Sequence, residues 1–190
     1  MRFHTAIIDN FLDHPRGLLN SLNEDDFRDI KISQDGVSYP GINPDLPPRL
    51  LPEITEKLKT LGLRPKPELT FFRLSTKGMN APHQAHTDAV MAEFTLIVYL
   101  NEHYPAGSGT SILMHETGMS RTPKDEVELN TWKTDCNSPQ FWRKLQMCDM
   151  KFNRALICDS DLFHRSEPIG SFGSDLADGR LVLISFMEAV

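Results

Sequence analysis

The spacing of apolar residues changes once along the chain. In residues 1–68 it is mainly helical, and beyond them it shortens to strands. Phe3 to Phe11 reads as a first strand. Asp13-His14-Pro15 then opens a helix whose apolar face is Leu18, Leu19 and Leu22. Gln34 to Pro48, with its prolines and glycines, reads as an ordered loop anchored by Tyr39, Ile42 and Leu46. Leu50, Leu51, Ile54, Leu58 and Leu61 predict a second helix, supported by the Glu53/Lys57 pair and closed by Gly62.

From residue 69 the pattern is that of strands: Leu69–Leu74, a turn over Thr76–Asn80, a short strand carrying His86 and Asp88, Phe94–Leu100, Thr110–His115, Arg154–Cys158 and Arg180–Met187. Phe94–Leu100 is the strongest, and Thr95, Ile97 and Tyr99 share one of its faces. Asp159–Pro168 is a loop carrying His164, and Gly170–Gly179 is a second loop. Residues 117–150 stand apart. Thr117–Asn137 is polar and weakly patterned, and Ser138-Pro139 starts a short helix with Phe141, Trp142 and Leu145 on one side. This stretch reads as an insertion and a candidate lid. The expectation is one α+β domain over residues 1–190: a mainly helical part (1–68), then a β-sandwich or jelly-roll core (69–187) with the insertion 117–150.

Composition narrows the classes. A net charge of −6 argues against a nucleic-acid binder, which needs a basic face. No apolar run approaches the ~20 residues of a membrane helix, and Met1–Asp9 lacks the long apolar stretch of a signal peptide. A cytoplasmic protein is the expectation. Cys136, Cys148 and Cys158 are odd in number and lack C-x-x-C spacing, so reduced thiols are expected.

The candidate chemistry starts at His86-Thr87-Asp88. Two residues apart on extended chain, an imidazole and a carboxylate point to one side. With a second histidine they make the two-His, one-carboxylate face that suits Fe(II) with open positions. His164 is that histidine, and Arg180, sixteen residues later, opens the last strand. Tyr99-Leu100-Asn101 and the turn Gly107-Ser108-Gly109 lie between.

In this order of elements the chain resembles the non-haem Fe(II)/2-oxoglutarate-dependent dioxygenases, most closely their prolyl-4-hydroxylase-like branch. The resemblance covers about residues 69–187. It implies a double-stranded β-helix core with the N-terminal helices packed outside. It implies Fe(II) held by His86, Asp88 and His164, with 2-oxoglutarate and O2 in the remaining positions. Arg180 would clamp the far carboxylate of 2-oxoglutarate, and Tyr99 would add a hydrogen bond, with Thr95 and Ser111 as minor polar contacts. The family reaction turns 2-oxoglutarate into succinate and CO2 while oxidising a substrate C–H bond. Asp88 favours hydroxylation over halogenation, because related halogenases have a small residue there. The basic residue follows the distal histidine by about ten positions in the nearest branch, so Ile169–Asp178 is expected to be a lengthened loop. Arg165 is the competing anion clamp.

Other residues carry less. His83 should face away from His86, Arg73 is either structural or turned to the cleft, and His115 is a strand residue that reaches at most the pocket mouth. His103 reads as a surface residue of a turn, and His4 and His14 carry no signal. The substrate is expected to be a small amino-acid-like molecule or a peptide side chain, without a membrane partner, and oligomeric state is left open. Two other classes share the features: a non-redox metal enzyme on a jelly roll, and a binding module without catalysis.

Overall fold

A computed structural model describes residues 5–33, 36–63, 65–79 and 81–189. The elements in order are β1 (Thr5–Ile8), α1 (Pro15–Leu19), β2 (Arg28–Lys31), β3 (Ser38–Asn43), α2 (Leu50–Thr60), β4 (Pro65–Ser75), β5 (Phe94–Tyr99), β6 (Gly109–His115), α3 (Glu126–Asp135), β7 (Trp142–Asp149), β8 (Ala155–Asp159), β9 (His164–Glu167) and β10 (Arg180–Ala189). They form a seven-stranded sheet, β1-β8-β5-β10-β4-β3-β2, and a three-stranded sheet, β7-β6-β9. All strand pairings are antiparallel. The architecture is a jelly roll with helices on the outside. Among the described residues no helix is long and apolar enough to cross a membrane.

The large sheet has a sharp period of two. Phe72 and Leu74 of β4, Leu96 and Val98 of β5, Ile157 of β8 and Leu181 and Leu183 of β10 point outward onto Ile54 and Leu58 of α2. Both helix residues are fully buried, as the i, i+4 spacing requires. The opposite set, Phe71, Arg73, Ser75, Thr95, Ile97, Arg180, Val182, Ile184 and Phe186, faces inward and lines a cavity. Strand register aligns these residues, with Arg180 opposite Ser75, Val182 opposite Arg73 and Ile184 opposite Ile97.

Several expected elements change. The N-terminal part is not mainly helical: β2 and β3 extend the large sheet. The expected loop 34–48 contains β3, where Gly41 has φ +69° and a Cβ would run into the Leu74 carbonyl. That close approach to β4 is why a glycine interrupts the strand pattern there. The short helix expected at Ser138-Pro139 is a single 3₁₀ turn, Pro139–Phe141, and the chain then enters β7. Conversely, the weakly patterned stretch contains α3. Its Asp125 cap accepts from Glu128 N–H at 2.9 Å, and none of its residues is buried, so no apolar stripe marks it. The strand expected around His86 is a single bridge to His164, and His164 begins β9 rather than sitting in a loop. Phe3, His4, Gln34, Asp35 and Asn80 of the expected elements lie outside the described residues.

Candidate metal and anion site

His86 and His164 are tied together by their own backbones. His86 N–H donates to the His164 carbonyl at 3.1 Å, and His164 N–H donates back at 2.9 Å. The rings therefore lie side by side, with centroids 4.4 Å apart. Asp88 N–H donates to the Ser160 carbonyl at 2.7 Å, which turns its carboxylate toward both rings. Its oxygens lie 3.7 Å from His86 Nε2 and 3.2 Å from His164 Nε2. One donor atom from each of the three residues falls within 4.8 Å of the others.

The outer side of each ring sets its tautomer. Nδ1 of His86 meets the Gln84 carbonyl at 3.2 Å, and Nδ1 of His164 meets the Leu162 carbonyl at 2.9 Å. A carbonyl only accepts, so Nδ1 carries a proton, and in each neutral ring the Nε2 lone pair is the one turned inward. Thr95 donates to Asp88 Oδ2 at 3.0 Å and touches the Ser160 hydroxyl at 2.9 Å, which fixes the carboxylate. Burial, reinforced by neighbouring His164 and only partly offset by Asp88, lowers the His86 pKa to about 4. Burial opposes ionisation of Asp88, but the two histidines outweigh it and hold the carboxyl at about 2. Burial likewise opposes the His164 cation, and Asp88 overcomes it, so that pKa is raised.

The triad opens into the cavity of about 80 Å³ under the large sheet. Arg180 reaches it from the first position of β10. It is 5% exposed, its Nε has no partner, and its guanidinium lies 5.9 Å from the centre of the Tyr99 ring. Burial brings its pKa down to about 10; the Tyr99 side chain opposes the shift and Arg73 adds to it. Asn101 positions this residue from both sides. Its amide donates to the Gly179 carbonyl at 2.7 Å and its carbonyl accepts from Leu181 N–H at 2.8 Å. The Gly170–Gly179 loop is pinned as well, since Lys77 and Gly78 N–H donate to the Gly173 and Gly170 carbonyls at 2.9 Å.

The remaining predicted residues are distributed unevenly. Thr95 lines the cavity. Tyr99 lies just beneath it, and its hydroxyl donates to Thr110 Oγ1 at 2.8 Å. Burial raises the phenol's pKa, so it stays neutral. Ser111 is outside the lining and donates to Glu167 Oε1 at 3.0 Å. Arg165 also goes to Glu167, at 2.9 Å, and is absent from the triad cavity. His115 is remote: it is buried against Trp142, with Nε2 3.3 Å from Asp135. His83 does not point away. It stacks 5.0 Å from Trp132 and lines a vestibule of about 540 Å³. That vestibule shares Tyr39, His86, Asp88 and Met91 with the inner cavity, so the two are continuous.

Sequence reasoning missed three contributors: Ser160 and Asn101, which orient the site, and Met91, which lines it. Asn101 sits in the Tyr99-Leu100-Asn101 run and could have been found as a polar residue ending an apolar strand. Nothing in the sequence marks Ser160 or Met91.

The sequence matches, over residues 2–187, a family described as "Family of unknown function (DUF6445)", and the chain belongs to that family. No curated protein matches it. Among solved structures it is similar to AviO1 from Streptomyces viridochromogenes Tue57, at 15% identity and a TM-score of 0.57, covering 97% of this chain and 89% of that one. It is similar also to the non-heme alpha ketoglutarate dependent carbocyclase SnoK from nogalamycin biosynthesis, at 12% identity and a TM-score of 0.57, covering 96% of this chain and 78% of that one. At such identities the likeness establishes the fold.

Proposed function

We propose that the protein is an Fe(II)- and 2-oxoglutarate-dependent oxygenase that hydroxylates an unactivated C–H bond of a small amino-acid-like molecule or a peptide side chain. The observation that carries this reading is the convergence of two inward-facing Nε2 atoms and an ionised carboxylate beside an arginine that has no ion pair among the described residues. That donor set fits Fe(II) and leaves positions open, and the orphaned Arg180 fits a dicarboxylate cosubstrate. The fold shared with a carbocyclase named as alpha ketoglutarate dependent supports it. So does the order of His86, Asp88, Tyr99-Leu100-Asn101, His164 and Arg180, which follows the prolyl-4-hydroxylase-like branch.

When bound, iron and 2-oxoglutarate supply the oxidant, and the cosubstrate leaves as succinate and CO2. The chain's own residues hold and orient. His86, Asp88 and His164 would hold the metal, while Thr95 and Ser160 keep the carboxylate from rotating. Arg180 fixes the far end of the cosubstrate, and the neutral Tyr99 supports Arg180 from below through its ring. Ile97, Val182 and Ile184 exclude water around the clamp. Asp88 would supply a carboxylate where related halogenases have a small residue, which favours hydroxylation. Three buried free thiols suit a reducing compartment, and we take the protein to act in the cytoplasm.

The test is anaerobic titration of the Fe(II)-loaded protein with 2-oxoglutarate, followed by admission of oxygen and assay of succinate. The expected result is a weak visible charge-transfer band that needs both iron and Arg180. Tight binding of another metal without that band would point to a non-redox enzyme, and no metal binding would point to a binding module.

A further inference from the structure

Resting on the oxygenase reading above, we infer that Arg73 is the receptor for a carboxylate of the substrate, so that the enzyme acts on a free small carboxylic acid with an apolar body. Arg73 lies near the C-terminal end of β4, an inner strand between β10 and β3, and it faces the triad cavity. Its side chain is partly exposed, and desolvation still disfavours its cation unless an anion meets it. None of the described ion pairs includes it, and its Nε has no hydrogen-bond partner. Its one close aromatic support is the Tyr39 ring, 5.3 Å from the guanidinium carbon. The one carboxylate acting on it is Asp88, which already lies against both histidines.

Charge around the site points the same way. Arg73 and Arg180 share one cavity with a single carboxylate, Asp88. A divalent metal adds two positive charges, and 2-oxoglutarate returns two negative ones. One carboxylate of the cosubstrate belongs to the metal and the other to Arg180, which leaves Arg73 uncompensated. The missing anion therefore arrives with the substrate. Tyr39, stacked against Arg73, also lines the vestibule, whose walls include Val90, Met91, Leu129 and Trp132. An acid held by Arg73 can lay its apolar part along those walls. A residue inside a peptide chain carries no such carboxylate unless it is acidic.

The experiment is anaerobic calorimetry on the full-length protein loaded with Fe(II). The affinity for 2-oxoglutarate is measured first in wild type, Arg73→Met and Arg180→Met. Then, with 2-oxoglutarate saturating, 4-phenylbutyrate and 4-methylpentanoate are titrated into wild type, Arg73→Met and Arg73→Lys, each beside its primary amide. Wild type should bind the acids about 10- to 100-fold more tightly than the amides, the range of a charge-assisted pair. Arg73→Met should erase that preference by weakening the acids alone, and Arg73→Lys should restore part of it. The affinity of Arg73→Met for 2-oxoglutarate should stay within about three-fold of wild type, whereas that of Arg180→Met should fall about 10- to 100-fold. Equal binding of acid and amide by wild type, or no binding of either, overturns the assignment. So does a loss of 2-oxoglutarate affinity in Arg73→Met as large as in Arg180→Met, which would make Arg73 a cosubstrate ligand. Both results leave the oxygenase reading standing. Failure of wild type to bind 2-oxoglutarate in the first titration removes that reading, and the assignment with it.

Discussion

The two faces of the seven-stranded sheet use the same strands for opposite purposes. The outward face is apolar from β4 to β8 and closes on Ile54 and Leu58. The inward face alternates apolar residues with Thr95, Arg73, Ser75 and Arg180, and its two arginines have no ion pair among the described residues. The outward face stabilises the fold by removing hydrocarbon from water. The inward face is costly to bury and is tolerated because the outward one supports it. Stability and chemistry are thus separated by a single residue step along each strand.

That contrast can be broken experimentally, most severely at the triad. Asp88→Ala should abolish metal binding and succinate formation while the protein still melts cooperatively, as checked by metal analysis and calorimetry. On the other face, Leu183→Ala should cost about 2–5 kcal/mol in urea unfolding, with the triad intact in the molecules that remain folded. Arg180→Met sharpens the contrast. It should lower 2-oxoglutarate affinity about 10- to 100-fold, yet leave the melting temperature unchanged or higher, because an unpaired buried charge is gone. Thr95→Val should weaken metal binding about ten-fold, the effect of losing a hydrogen bond that orients a ligand, with little change in stability. The smallest effect lies on neither face. Arg154 and Lys151 hold the Asp9 carboxyl below its usual range. The stabilisation this brings is present above the ordinary carboxylate pKa and fades as the pH falls. Asp9→Asn should therefore slightly reduce the melting temperature at neutral pH and leave it unchanged in acid.

Much of this separation was legible before the structure. Period-two alternation put Thr95, Ile97 and Tyr99 on one side of β5, and the two-residue spacing put His86 and Asp88 together even though their segment is a bridge rather than a strand. β2 and β3 were harder to see, because each offers few apolar residues and β3 is broken by Pro40-Gly41. α3 was hidden because none of its residues is fully buried, and β7 because Trp142 and Leu145 are spaced as on a helix, the strand being irregular between Lys144 and Gln146. What Arg73 and Asn101 do depends on which strands lie beside them. Local pattern does not reveal that one arginine lacks an anion, or that one asparagine holds both neighbours of another residue.

The reciprocal backbone pair between His86 and His164 acts as a ruler. The spacing of the two imidazoles is set where the two chain segments touch, and the length of chain joining them does not enter. Lengthening or cutting the exposed turn at residues 102–107 therefore leaves the pair at the same separation. A slip of one residue in either segment has the opposite effect. It would present Ala85 or Thr87 in place of one imidazole, or Phe163 or Arg165 in place of the other, and none of these offers the nitrogen lone pair that the site requires.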